Sequence, residues 1–161
     1  MDNFRSLVAL LARRAADQGD DRAYVFVSDR GTEEAALSFR QLHDSASALA
    51  SRLTAVARPG DRAILVFPPG IEFMVAFFGC LMAGIVAVPM MMPRRNSARD
   101  SSAAILANCA PAVALTTSAF AMAETIEVLQ RTWHVQGQSV RPDHRMVGHT
   151  GFLTSARLLG G

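Results

Sequence analysis

The hydrophobic positions of the chain fall into two kinds of segment, one with helical spacing and one without. Apolar side chains recur every three or four positions through residues 4–18 and 39–53, which predicts two amphipathic helices. Continuous apolar runs cover residues 63–67 and 112–117. Short runs of this kind are typical of parallel strands buried on both faces. Aromatic and β-branched residues between turn residues predict a further strand at 22–28.

The two amphipathic helices carry different start and stop signals. Ser38 and Gln41 fit a capping box, in which the serine hydroxyl accepts from the backbone N–H of Gln41 and the glutamine side chain reaches back. Asn3 can cap the first helix, and Gly19 can end it. The polar segment 28–35, SDRGTEEA, is predicted to form a turn.

Residues 73–92, FMVAFFGCLMAGIVAVPMMM, contain no charged side chain and are long enough to cross a bilayer. The two interpretations are a membrane span and two buried pieces of a folded domain. Local chemistry favours the second, because Glu72 suits the first turn of a helix and Gly84 is a natural helix stop. We predict a helix over 70–83 and a short buried parallel strand over 85–88.

A strand, a helix and a second parallel strand in this order form a β-α-β unit. Two further helices are predicted, a short one at 101–110 and a longer one at 118–132. The predicted order is helix, strand, turn, helix, strand, helix, strand, helix, strand, helix. We therefore expect the α/β fold class, with a partial, mainly parallel sheet flanked by helices.

Composition limits the classes of function. The 161 residues are about the size of one domain, and half of them are hydrophobic, so a sizeable core can form. The net charge of +2 is too small to indicate a nucleic-acid partner. Cys80 and Cys109 lie outside any C-x-x-C motif, so we expect reduced, buried thiols. The N-terminal residues lack the pattern of a secretory signal, which makes a cytoplasmic protein the expectation.

Three stretches of the chain resemble the N-terminal region of adenylate-forming enzymes, the AMP-binding superfamily of acyl-CoA synthetases, luciferases and peptide-synthetase adenylation domains. They are LSFRQLHDSASALASRL (37–53), RPGDRAILVFPPGIEFMVAFFGCLMAGIVAVPMMMPRR (58–95) and CAPAVALTTS (109–118). The run FPPGIEF…AFFGC…AG…AVP…PRR looks most like fatty acyl-AMP ligases and the long-chain acyl-CoA synthetases close to them. The resemblance covers roughly residues 4–120 and implies the N-terminal subdomain of such an enzyme.

The resemblance also implies a chemistry for full-length members of the family. They activate a fatty acid with ATP and Mg²⁺ to an acyl-adenylate and then pass the acyl group to the thiol of an acyl-carrier protein or CoA. The family's phosphate loop resembles TSGSTGxPKG, and a lysine of its C-terminal domain contacts the reacting groups. Neither that string nor any lysine occurs in these 161 residues. We therefore assign no catalytic, cofactor-binding or metal-binding residue and expect the isolated chain to be inactive.

The predicted organisation has two parts, an N-terminal α/β segment at 1–130 and an irregular or aberrant tail at 131–161. The tail lacks clear periodicity and holds three of the four histidines. Two hypotheses are open: a reading-frame shift near residue 130, or a flexible end that packs on other parts of the sheet. Thr154 and Ser155 faintly resemble the approach to the family's phosphate loop, but the next two residues depart from it.

The histidines are interpreted as ordinary polar residues. His134, His144 and His149 have no cysteine or paired carboxylate nearby, so solvated side chains are favoured over a metal site. His43 lies on the polar side of its helix and is predicted to be exposed.

Three further groups of residues have a structural and a functional interpretation. Arg94 and Arg95 follow a strand end, where α/β proteins place ligand contacts, but a solvated pair is favoured. The methionines at 90–92 are expected to pack in the core or an interface rather than to line an acyl channel. Ser101 and Ser102 are expected to start a helix rather than to act as nucleophiles.

The function expected from these observations is that of a truncated member of the AMP-dependent synthetase/ligase family. The alternatives are a non-catalytic protein-interaction module and, less favoured, a small membrane protein. A fatty acid and an acyl-carrier protein or CoA are implied as partners by the family alone, as are ATP and Mg²⁺. No nucleic acid and no membrane span are expected, and uncovered apolar surface would allow self-association.

Overall fold

The computed structural model describes residues 6–91, 102–117, 139–143 and 154–159. Helices and strands alternate through most of this range, which confirms the α/β prediction; the helix predicted at 118–132 lies outside it. The elements are α1 (Leu7–Asp17), β1 (Arg22–Val27), β2 (Glu33–Ser38), α2 (Phe39–Leu53), β3 (Arg62–Leu65), α3 (Glu72–Met82), β4 (Val86–Pro89), α4 (Ser102–Cys109), β5 (Val113–Thr116), β6 (Ser139–Asp143) and β7 (Thr154–Leu159).

The first two strands form an antiparallel hairpin that the sequence only half predicts. The turn predicted over 28–35 is wrong from Glu33 onwards, because β2 begins there and pairs with β1. The turn itself is tighter, with Gly31 at φ +75° and the Ser28 N–H donating to the Thr32 carbonyl at 2.8 Å. Glutamate and alanine rarely favour strands, so the pairing with β1 imposes this conformation rather than local propensity.

The main sheet has five strands in the order β4-β3-β5-β7-β6. The three strands β4, β3 and β5 are parallel, and β7 and β6 continue the sheet antiparallel. β4 lies at an edge, so the prediction of a buried strand there is wrong for Val86, whose exposed fraction is 50%. β6 and β7 fall in the segment expected to be irregular, although the division of the chain at residue 130 itself stays a prediction.

The long apolar stretch is a helix and a strand joined at Gly84, as predicted. Gly84 has φ +70°, and two hydrogen bonds close the end of α3: Ile85 N–H to the Cys80 carbonyl at 2.8 Å and Gly84 N–H to the Leu81 carbonyl at 3.1 Å. This pair of bonds is a Schellman motif, which needs a left-handed residue that glycine supplies without strain. The chain therefore turns out of α3 and enters β4 two residues later.

The starts of the first two helices show one confirmed cap and one correction. In α2 the Gln41 N–H donates to Ser38 Oγ at 3.2 Å, and Gln41 Oε1 accepts from the Ser38 N–H at 2.9 Å, so the capping box is confirmed. In α1 the cap is Ser6, whose Oγ accepts from the Ala9 N–H at 3.1 Å, so the prediction of Asn3 is wrong. The helix begins one turn later than its apolar spacing indicates.

The core lies between the parallel strands and the pair α2 and α3. The two helices approach closely at Gly79, where an added Cβ would lie 2.8 Å from Leu49 Cδ2. Glycine is required there because the Leu49 side chain fills the space. The buried residues of this core are Leu49, Ala50, Leu53, Ala57, Ala63, Leu65, Ala76, Cys80, Ala83, Ile85, Val113 and Leu115.

Candidate functional site

The carboxyl ends of β3, β4 and β5 meet at one edge of the sheet, because the three strands are parallel. Ligands of open α/β sheets bind outside the carboxyl ends of the strands, so this edge is the candidate site. We call it the carboxyl edge and define it as residues 66–70, 90–91 and 116–117. Backbone hydrogen bonds still tie the strands together here, from Val66 N–H to the Leu115 carbonyl at 2.9 Å and from Met90 N–H to the Leu65 carbonyl at 3.0 Å.

A row of phenylalanine rings runs from the carboxyl edge down α3. Phe67 meets Phe73 edge-on with 6.4 Å between ring centroids, Phe73 stacks on Phe77 at 6.1 Å, and Phe77 meets Phe78 edge-on at 5.8 Å. Such contacts contribute about 0.5–1.5 kcal/mol each beyond the burial of area. The row fixes the loop after β3 to the helix that follows it, so this side of the edge is rigid and apolar.

The N-terminus of α3 also lies at this edge, directly after the loop. Its N-cap residue is Ile71, which makes no side-chain capping bond, and Glu72 occupies the first turn as predicted. The carboxylate complements the positive end of the helix dipole. A negative side chain at this position makes the helix end a poor site for an added anion.

The methionines after β4 differ from one another. Met90 is buried, which confirms core packing, whereas Met91 is 78% exposed and therefore does not pack in the core. Met92, Arg94 and Arg95 lie outside the described residues. The preference for a solvated arginine pair over a ligand contact therefore stays a prediction.

Two threonines at the end of β5 are the polar residues of the carboxyl edge. Thr116 and Thr117 have exposed fractions of 6% and 8%. Within the described part of the chain, neither Oγ1 atom has a hydrogen-bond partner. A buried hydroxyl without a hydrogen-bond partner costs about 1–3 kcal/mol, so the two threonines are energetically unfavourable at this position. The pair is not among the residues predicted from the sequence, although the change from apolar to polar at the end of AVALTT was the available signal.

The two cysteines have different surroundings, and neither is in a disulfide. Cys80 is fully buried in the core, and burial raises the pKa of its thiol to about 12, so it stays protonated at neutral pH. Cys109 is only half-buried, which corrects the expectation of a buried thiol. Burial raises the pKa of Cys109, while a backbone hydrogen bond and the Arg62 guanidinium act in the opposite direction.

The remaining candidates from the sequence add no chemistry to the edge. His43 is half-buried rather than exposed, and its Nδ1 lies 3.2 Å from Asp44 Oδ1. Ser102 is the first residue of α4, as predicted. The other three histidines and Ser101 lie outside the described residues. Over the described ranges, no three His, Cys, Asp or Glu side chains come together as metal ligands would.

This β-α-β framework holds strands, a loop and a helix N-terminus in fixed positions, but the residues that define the carboxyl edge include no ionisable side chain. The family model described as AMP-binding enzyme matches residues 11–154, which is most of the chain.

The chain belongs to the AMP-binding enzyme family.

Similar proteins within this family include fatty acid ligases. The chain is 36% identical over 118 residues to the long-chain-fatty-acid–AMP ligase FadD26 of Mycobacterium tuberculosis, which covers 71% of this chain and 20% of that protein. It is 34% identical over 140 residues to the long-chain-fatty-acid–AMP ligase FadD32 of Mycolicibacterium smegmatis, with 85% and 21% covered. The chain therefore spans about a fifth of the length of these relatives.

Solved structures of the family share the fold. The crystal structure of a fatty acid AMP ligase from Legionella pneumophila matches with a TM-score of 0.68 at 34% identity, over 73% of this chain and 20% of that one. A Legionella fatty acyl-adenylate ligase in complex with acyl adenylate and pyrophosphate matches with the same TM-score at 33% identity. These matches confirm the suspected resemblance to fatty acyl-AMP ligases and the fold of their N-terminal part.

The interpretation of residues 73–92 as a membrane span finds no support in the described residues. None of their helices combines the length and apolarity that crossing a bilayer requires. α3 has 11 residues and ends before Gly84.

Proposed function

We propose that this chain forms the N-terminal framework of an enzyme that activates fatty acids as acyl-adenylates. In that reaction the fatty acid carboxylate attacks the α-phosphate of ATP, pyrophosphate leaves, and the acyl group is passed to the thiol of a carrier protein or CoA. The observation that carries the proposal is the match to the Legionella ligases at a TM-score of 0.68 and about one-third identity. The cytoplasm, where ATP is available, is the proposed compartment.

The role that we propose for the chain is structural rather than chemical. Adenylation needs donors that hold phosphate oxygens and a cation that offsets their charge. The 161 residues contain no TSGSTGxPKG string and no lysine, so they do not fit ATP and Mg²⁺ as a complete site. The carboxyl edge instead offers a rigid phenylalanine row and two buried hydroxyls. Binding of ATP, Mg²⁺ and the fatty acid is therefore assigned to parts of a full-length ligase outside these residues.

A segment exchange tests this proposal. Residues 6–117 would replace the matching segment of the Legionella fatty acid AMP ligase, and the fatty-acid-dependent exchange of labelled pyrophosphate into ATP would be measured. We expect the chimera to catalyse exchange, because the segment supplies the same framework. The isolated 161-residue chain should show no exchange above a reaction without protein.

Two controls make the result decisive. A chimera with the matching segment of the Escherichia coli fatty acyl-adenylate ligase shows whether exchange of the segment is tolerated at all. A chimera with Gly79→Leu should lose activity and stability together, because the new side chain overlaps Leu49. A folded chimera without exchange activity, beside an active control chimera, would disprove the proposal.

A further inference from the structure

Strand β1 of the β1–β2 hairpin carries several exposed apolar side chains. Six large hydrophobic residues are exposed among the described residues, and three of them lie on β1. Tyr24, Val25 and Val27 have exposed fractions of 38%, 40% and 49%. Successive side chains of a strand point to opposite faces, so Val25 and Val27 share one face and Tyr24 lies on the other. Single exposed hydrophobic residues are normal, but β1 carries them on both faces.

The strand β1 also has a free edge in the described part of the chain. It pairs with β2 on one side only, in a sheet of two strands. In an antiparallel pair every second residue directs its backbone N–H and C=O away from the partner, so β1 presents unpaired groups along its outer side. Two-stranded sheets are marginally stable, and a third or fourth strand stabilises them.

The other free edges carry features that oppose strand pairing. β2 begins with Glu33 and Glu34, β4 ends at Pro89, and β6 contains Pro142. Charged residues and prolines are the usual protection of edge strands. β1 has no proline and one charged residue, Arg22, whose guanidinium already contacts the Glu33 carboxylate at 2.6 Å. β1 is therefore the unprotected edge of the described residues.

We propose that β1 pairs antiparallel with β1 of a second copy of this chain, about a two-fold axis at Val25. In this register Val25 lies opposite its own counterpart, Tyr24 lies opposite Phe26 of the second copy, and Ala23 lies opposite Val27 of the second copy. All these positions are apolar, so no charge is buried and no like charges meet. Aromatic and β-branched cross-strand pairs contribute about 0.2–1 kcal/mol each.

A second copy is favoured over an unrelated partner because the strand is complementary to itself. An isologous contact needs the same patch on both chains, and the sequence AYVFV is apolar on either side of its centre. The resulting sheet has four strands in the order β2-β1-β1-β2. The contact area of two six-residue strands is small, so we expect a reversible dimer in the micromolar range.

Sedimentation equilibrium of the full 161-residue chain, from about 1 to about 500 µM, tests the proposal. Val25→Lys places two like charges at the axis and should raise the dimer dissociation constant several-fold, about fivefold for each kcal/mol lost. Val86→Lys is the matched control, because Val86 is also exposed, at 50% against 40% for Val25, but lies on the protected edge strand β4. That variant should dimerise like the parent chain.

Mixing variants separates the interface from a folding defect. Val25→Lys and Val25→Glu should each dimerise more weakly than the parent chain, and an equimolar mixture of the two should dimerise more strongly than either alone, because opposite charges then meet at the axis. Val27→Lys serves in place of Val25→Lys if circular dichroism shows the latter to be unfolded. A parent chain that stays monomeric over the whole range would overturn the proposal. So would dimers that Val86→Lys disrupts and Val25→Lys does not, or a mixture of folded variants that dimerises no more strongly than either alone.

Discussion

Replacing Gly84 by alanine tests the central feature of the fold, because the two interpretations of residues 73–92 predict opposite signs. In a continuous helix, alanine is about 1 kcal/mol more favourable than glycine, so the substitution would stabilise the protein. In the structure, Gly84 closes a Schellman motif at φ +70°, a conformation that L-residues rarely adopt. The same substitution is then expected to destabilise it.

The magnitude follows from three effects. A Cβ in the left-handed region costs about 1–2 kcal/mol. The added Cβ would also lie 3.3 Å from Pro59 Cβ, a tight contact with a rigid ring. That ring cannot move freely, because the Gly60 N–H in the same turn donates to the Gly84 carbonyl at 2.8 Å. Alanine also lowers the conformational entropy of the unfolded chain, which stabilises the folded state by about 0.4–1 kcal/mol. The expected net loss is about 1 kcal/mol, or about 2–4 °C in Tm for a chain of this size.

Thermal and urea unfolding of Gly84→Ala beside Gly31→Ala measures these effects separately. Gly31 has φ +75° but nothing within 4 Å of an added Cβ, so that variant reports the backbone strain alone. The difference between the two variants then reports the contact with Pro59. A Gly84→Ala variant with a higher Tm than the parent would refute the bend and support an uninterrupted helix.

Four further substitutions test the core and the carboxyl edge. Thr116→Val and Thr117→Val should each raise the free energy of unfolding in urea by about 1–3 kcal/mol, since each replaces an unpartnered hydroxyl by a methyl group; a decrease would reveal a hydrogen-bond partner. Gly79→Ala should lower Tm, because its Cβ would lie 2.8 Å from Leu49 Cδ2; an unchanged Tm would contradict the close packing of α2 on α3. The raised pKa of Cys80, about 12 against 9.0, keeps a proton on the native state that the unfolded state loses. Stability is therefore complete below about pH 9 and should fall by about 1.4 kcal/mol per pH unit above it. Cys80→Ala should reduce that slope in urea unfolding at alkaline pH and leave the part due to Cys109, whose pKa burial also raises. An unchanged slope would assign it to another group.

The features that the sequence predicted correctly are those that short-range interactions determine. The capping box of Ser38 and Gln41 needs two hydrogen bonds within four residues, and both form. Gly84 is a reliable stop because its backbone conformation and the two closing bonds involve residues 80–85 alone. The order of strand, helix and parallel strand follows from these local signals. The resemblance to the family then supported the prediction that these strands belong to one mainly parallel sheet.

The errors in the strands have a different cause, since they depend on what lies beside each segment in space. β2 is a strand because β1 pairs with it, although Glu33 and Glu34 do not favour strands. β4 has the composition of a buried strand, yet it lies at the edge of the sheet and leaves Val86 half exposed. Neither the pairing of β1 with β2 nor the position of β4 in the sheet is recorded in the periodicity of a single segment.

Thr116 and Thr117 show where packing arguments alone fail in this chain. Two unpartnered hydroxyls together cost about 2–6 kcal/mol, which is a large share of the 5–15 kcal/mol that stabilises an ordinary domain. Valine has the same shape and would remove this cost, so burial cannot explain why threonine stands at either position. The hydroxyls lie at the carboxyl edge, where parallel sheets place their ligand contacts, rather than in the middle of the core. The free energy of unfolding of Thr116→Val therefore decides between two states of the hydroxyl. An increase means that the hydroxyl lacks a partner and destabilises the folded chain. A decrease means that it already has a hydrogen-bond partner.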